Sequence, residues 1–151
     1  MQNKILVLAV LLLAACGNQQ RDDQTAPAVI NDQVHVDASS IIWQGSAADD
    51  LNLNASLQNS MSCIRSNYTG TLRPGAPLVV LTDSLIDCGD PARRYLGCTD
   101  RNNGIIYLMA APNLDNLGLI FVHETIHWAT NLGSEAHNGP LFAACSPGLT
   151  E

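Results

Sequence analysis

Two imidazoles and a carboxylate lie in the middle of an otherwise apolar run, NLGLIFVHETIHWATN, residues 116–131. Leu119, Val122, Ile126 and Ala129 recur at the spacing of one helical face, so the run predicts a helix over 116–131 with Gly133 as its stop. Polar groups on a buried helix are costly unless each finds a partner. Whatever packs around this helix must therefore supply something to His123, Glu124 and His127. The two histidines are four residues apart, so their rings project from one face about a turn apart and can grip one metal ion. Glu124 lies roughly 100° round the helix from His123, within reach of a water at such a metal without being a ligand. Neutral imidazole suits zinc, and a three-ligand site leaves a fourth position for water, which the carboxylate can deprotonate.

Three of the four histidines fall within residues 123–137. His35, the fourth, reads as a solvated residue near the start of the fold. The stretch HETIH resembles the active-site helix of zincin metallopeptidases. The metzincin spacing would put a glycine at position 130 and a histidine at position 133, where this chain has Thr130 and Gly133, so that subclass is excluded. Glu135 and His137 remain as candidates for a third ligand. HETIHW, followed ten residues after its second histidine by HNGPLF, resembles the SprT-like metallopeptidases. In these, His-Glu-x-x-His is followed after a variable gap by a histidine in a His-Gly-Pro-x-Phe type sequence. The resemblance implies zinc as cofactor and His137 as its third ligand beside His123 and His127. It also implies Phe142 as a core residue of the next helix, and a minimal zincin-like α+β domain with a small sheet against the HExxH helix. With Glu135 as ligand, the site would instead resemble a gluzincin with a short gap. The match spans some twenty residues, Asn138 is inserted before Gly139 and Pro140, and no basic nucleic-acid-binding region accompanies it.

The first residues, MQNKILVLAVLLLAAC, have the layout of a secretory signal: one basic residue, Lys4, then an apolar run from Ile5 to Ala15. That run is too short to span a bilayer, which takes about 20 residues. LAAC, Leu13 to Cys16, resembles the lipobox of bacterial lipoproteins, which implies cleavage before Cys16 and a lipid on its sulfur. The expected division is a signal peptide over 1–15, a lipidated Cys16 and polar tether over 16–33, and a domain over 34–151. Gly17 after Cys16 points to the outer membrane, facing the periplasm of the cell envelope. Residues 16–151 carry six arginines against fourteen carboxylates, a formal charge of −8. Such a surface repels phosphate backbones, so nucleic acid is excluded as a partner. Anchoring to the membrane would then rest on the lipid.

Four further cysteines, Cys63, Cys88, Cys98 and Cys145, read as two disulfides in an exported domain. Of three pairings, Cys88–Cys98 would close a polar loop and Cys63–Cys145 would tie the first helix to the last. No Cys-x-x-Cys pair supports zinc ligation by cysteine.

The remaining elements follow from periodicity. Leu53, Leu57, Met61 and Ile64 predict a helix over 47–67, with Ser46 and Asp49 at its start and Gly70 past its end. LVVLTD, 78–83, reads as a buried strand, followed by a Cys-bounded loop over 88–98. Asn102-Asn103-Gly104 is a turn signal before a strand over 105–109, and a last short helix is expected over 139–145. Ile41 to Trp43 could form one more short strand. By resemblance to zincins, GIIYLMA is a candidate for the edge strand that lines up a peptide, with an interior strand the equal alternative. Tyr95, Arg101 and Tyr107 could donate to an oxyanion, and none is singled out as catalytic. The function expected is zinc-dependent hydrolysis of a peptide or protein substrate in the envelope, with Glu124 as general base. The alternative is a non-catalytic zinc-binding lipoprotein that serves as an interaction or scaffold module.

Overall fold

The computed structural model describes residues 34–36, 41–90, 92–110 and 116–148, all within one compact unit. The expected signal peptide, the tether and Cys16 lie outside the described residues. The described elements, in chain order, are β1 (Val34–His35), β2 (Ile41–Ser46), α1 (Leu51–Asn67), β3 (Leu78–Thr82) and β4 (Asp87–Cys88). They continue with β5 (Gly97–Asp100), β6 (Ile105–Met109), α2 (Leu117–Thr130), a single 3₁₀ turn at Ser134–Ala136 and α3 (Pro140–Cys145). The fold is α+β, with helices packed over a four-stranded sheet of order β2-β3-β6-β5. β3 and β6 run parallel in the middle, while β2 and β5 are antiparallel edges. β1 and β4 form a separate antiparallel pair. Among the described residues no helix is long and apolar enough to cross a membrane.

One face of the sheet carries the core. Val79 pairs with Ile106 across the parallel ladder, and Leu81 with Leu108, so these side chains share a face. Leu53, Leu57, Met61 and Ile64 of α1 pack there with Ile120, Phe121, Ile126 and Trp128 of α2. The α1 stripe is the one its periodicity predicts. Its start is not: Asp50, rather than Ser46, caps the helix, its carboxylate accepting from the N–H groups of Asn52 and Leu53 at 2.9 Å each. Ser46 and Asp49 are used one step earlier. Asp49 accepts from the Ser46 N–H and donates its own N–H to the Ser46 carbonyl, and this local turn delays the helix to Leu51.

α2 departs more from its expected pattern. Leu119 is 44% exposed and Val122 half-buried, whereas every residue from His123 to Thr130 is buried. The sheet, α1 and α3 all contact this helix, so it has no single wet face and a one-stripe reading misplaces its contacts. It ends at Asn131, not Gly133. Asn131 adopts the left-handed conformation, φ 59°, and its N–H reaches the His127 carbonyl at 2.9 Å.

The Cys-bounded loop contains structure that its polar sequence hides. Ile86 and Tyr95 bridge, β4 and β5 flank that bridge, and β5 joins β6 through the 101–104 turn. The Asp100 carboxylate holds this turn by accepting from the N–H groups of Asn102 and Asn103 and from the Asn103 amide. Gly104, at φ 71°, supplies the conformation that the Asn-Asn-Gly signal anticipates. Because β5 occupies the edge, β6 is interior; GIIYLMA is therefore not the peptide-pairing edge. Ile41 to Trp43 belong to the opposite edge, β2.

Both favoured disulfides are formed. Cys63–Cys145 joins α1 to α3 with a Cα–Cα distance of 5.7 Å, and Cys88–Cys98 joins β4 to β5 at 5.9 Å. The first closes a span of 82 residues, so it removes much of the unfolded chain's freedom. Replacing Cys63 and Cys145 together by serine should lower stability in urea by about 2–4 kcal/mol. An unchanged urea midpoint would show that the α1–α3 link does not restrain the chain.

Candidate metal centre

The site starts from α2. His123 and His127 project from one side of the helix, their ring centroids 5.1 Å apart. After Asn131 turns the chain, the 3₁₀ turn returns it, and the His137 N–H bonds the Ser134 carbonyl at 3.1 Å. Gly139 makes the next bend possible: a Cβ there would lie 2.9 Å from the Ala136 carbonyl oxygen. Pro140 then opens α3. The result is that His137 stands opposite the two helical histidines, with its centroid 4.8 Å from each.

Phe142 closes the cluster. Its ring lies 5.0 Å from that of His123 and 4.9 Å from those of His127 and His137, and it is buried. The three imidazoles thus rest on one aromatic ring. Their potential ligand nitrogens all lie within 4.8 Å of one another, a group that could hold a metal ion.

The tautomer of His127 follows from its neighbour. Its Nδ1 is 2.8 Å from the Leu132 carbonyl oxygen, which can only accept, so Nδ1 carries the proton. The lone pair is then on Nε2, which points at His137 Nε2 from 2.7 Å. Orientation of a ligand imidazole by a carbonyl on its far nitrogen is a recurring arrangement around protein-bound metals. Burial pushes the His127 imidazole down to about 4; the Leu132 carbonyl opposes this fall, and His137 and Arg101 add to it. The ring is therefore neutral at neutral pH, the form a metal requires. Donor type, mutual distance and protonation state all fit a divalent metal with a preference for imidazole.

Glu124, next to His123 in sequence, is buried on the side of α2 that meets β5. The Thr99 hydroxyl donates toward its carboxylate, with Oγ1 2.7 Å from Oε2. Gly97, two residues earlier on the same strand face, permits the contact. A Cβ there would be 2.5 Å from Ile120 Cγ2 and 3.0 Å from Glu124 Cγ and Oε1. Neither residue carries a sequence signal, since a glycine and a threonine in a polar stretch read as loop.

Glu135, the rival third ligand, does not join the group. It is exposed, and its carboxylate turns back to accept the Gly133 N–H at 3.0 Å. Hydrogen bonds from its own and the Gly133 N–H hold it below the usual glutamate range. Of the oxyanion candidates, Arg101 donates to the Asn131 carbonyl at the end of α2. Tyr107 pairs with Cys98, placing it on the sheet face away from Thr99 and Gly97, and Tyr95 belongs to the bridge with Ile86. Burial, and then Asp100, raise the Tyr107 phenol above its ordinary value.

Compared with protein-family models, curated proteins and solved structures, the chain matches none.

The depressed His127 pKa has a measurable consequence in the metal-free protein. An unfolded chain takes up a proton on this ring below about 6.5, whereas the native ring resists until about 4. Native stability is then unaffected above 6.5 and is lost as pH falls through that window, by about 3 kcal/mol in total. Urea titrations of wild type and His127→Asn between pH 7 and 4 should show a steeper loss in wild type. Parallel curves would contradict the assigned burial.

Proposed function

We propose that this chain is a zinc-dependent peptidase of the zincin type, carried on the cell envelope by a lipid at Cys16. The observation that supports it is the grouping of His123, His127 and His137 around one point, with Glu124 next to His123 on the same helix. Zinc held by the three imidazoles would supply Lewis-acid activation of water and of the scissile carbonyl at neutral pH. The rest of the chemistry falls to the chain. Glu124, oriented from β5 by Thr99, accepts a proton from the water as the water oxygen attacks the carbonyl carbon of a peptide bond. The same carboxyl then delivers that proton to the departing amine, so the base is regenerated in each cycle. The Leu132 carbonyl orients the His127 ring, and the Phe142 ring packs against all three imidazoles. The chain's formal net charge of −7 opposes binding to a phosphate backbone, and the reading takes a peptide or protein in the envelope as substrate.

The test has two parts. Protein expressed from residue 17 onward and dialysed against a weak chelator should retain about one zinc per chain, the stoichiometry of a three-histidine site. Glu124→Gln should keep that zinc and lose peptide hydrolysis by at least ~10²-fold, the lower bound of a general base's contribution. Retained zinc with no hydrolysis by wild type across a peptide library would leave a zinc-binding module without peptidase activity. Absence of zinc from folded, oxidised protein would remove the metal centre itself.

A further inference from the structure

The contact between β5 and Glu124 goes further than support for a helix. We infer that Thr99 is a positioning residue, whose single hydroxyl proton is committed to the Glu124 carboxylate and holds it in the orientation that takes a proton from water. This rests on the peptidase reading above for its catalytic consequence, but the contact itself does not.

Thr99 pairs with Ile106, and Gly97 with Leu108; both partners face the core that α2 closes. The side chain of Thr99 therefore points at α2 from the sheet edge. It is buried, and its Oγ1 has two acceptors within reach: Glu124 Oε2 at 2.7 Å and the Glu124 carbonyl oxygen at 3.0 Å. One proton cannot serve both fully. The carbonyl lies inside α2, where the helical ladder already engages it. The carboxylate oxygen is the nearer of the two and lies at the end of the side chain, outside the helical ladder, so it is the acceptor left to the hydroxyl. Gly97 bounds the other side of the same carboxylate, with its missing Cβ leaving 3.0 Å to Oε1. Strand residues two apart thus grip the carboxyl group from one edge. Cys98, between them, is bonded to Cys88, which fixes the strand to β4.

A glutamate has three side-chain torsions, and a base that must meet one water in one place gains from having them fixed in advance. The oxygen held by Thr99 is Oε2.

Two measurements test this. In metal-free protein, Thr99→Val should lower Tm by about 3–6 °C in the wild-type background and by much less in Glu124→Leu, because the hydroxyl's partner is then gone. Equal losses in both backgrounds would mean that the proton serves the backbone, and would overturn the inference whatever the enzyme does. If either variant does not fold, Thr99→Ala and Glu124→Ala close the same cycle. In zinc-loaded protein, Thr99→Val should reduce kcat by about 10-fold or more, with KM and zinc content unchanged, and Thr99→Ser should restore it. A kcat that survives Thr99→Val would also overturn the positioning role while leaving the peptidase reading intact. Wild-type protein that hydrolyses nothing would instead defeat the peptidase reading, and the Tm cycle would still decide the contact.

Discussion

Everything in this structure is arranged around the burial of three polar side chains in the middle of α2. His123, Glu124 and His127 each retain less than a tenth of their exposure, in a helix that other elements surround. An unmatched polar group in such a place costs roughly 1–3 kcal/mol, and an unmatched charge more. Hydrogen bonds meet that demand for His127 and Glu124, and other rings surround His123. The chain after α2 doubles back so that the Leu132 carbonyl meets His127 and His137 faces both helical imidazoles. α3 brings Phe142 under all three rings, and the sheet edge brings Thr99 to Glu124. Remove the demand, and the αL turn at Asn131, the 3₁₀ turn and the glycine bend before α3 have no evident reason to follow one another so closely.

Some of this arrangement is legible in the amino-acid sequence. The four-residue spacing of His123 and His127 places two imidazoles on one face in any regular helix, and the helix is signalled by the apolar residues around it. The Leu53, Leu57, Met61, Ile64 stripe is legible for the same reason, because α1 has one packed face and one wet face. The α2 stripe is not, because periodicity reports a boundary between core and water, and a helix contacted on several sides has no such boundary. The choice between Glu135 and His137 also lies beyond local pattern. It depends on whether the 134–136 segment turns its carboxylate outward to its own backbone, which it does.

What the sequence hides most completely is β5. GCTD has a glycine, a cysteine, a small β-branched residue and an aspartate, each explicable as loop. Its strand character comes from outside it, from β6 on one side and the disulfide to Cys88 on the other. Strand propensity measures fit to a pleated, half-buried surface, and that surface exists here only after β6 is in place. The glycine that weakens the local signal is the residue the packing needs, since any Cβ at position 97 would displace Ile120 or the Glu124 carboxyl group.

A short edge strand is also a suitable place from which to hold the Glu124 carboxylate. Among the described residues β5 has β6 as its one full ladder partner, so its register could drift were it not pinned. Cys98 pins it through Cys88, and the Asp100 carboxylate pins its other end by holding the turn into β6. Between those two restraints lie only Thr99 and one peptide unit on either side of it. The position of the Thr99 hydroxyl is thus determined by covalent and hydrogen-bonded geometry outside α2, while the position of Glu124 is determined by α2 itself. A contact between two independently fixed elements has a defined length and direction, whereas one within a single helix bends with that helix. On this basis, β5 is the reference frame for the Glu124 carboxylate, and α2 is the reference frame for His123 and His127.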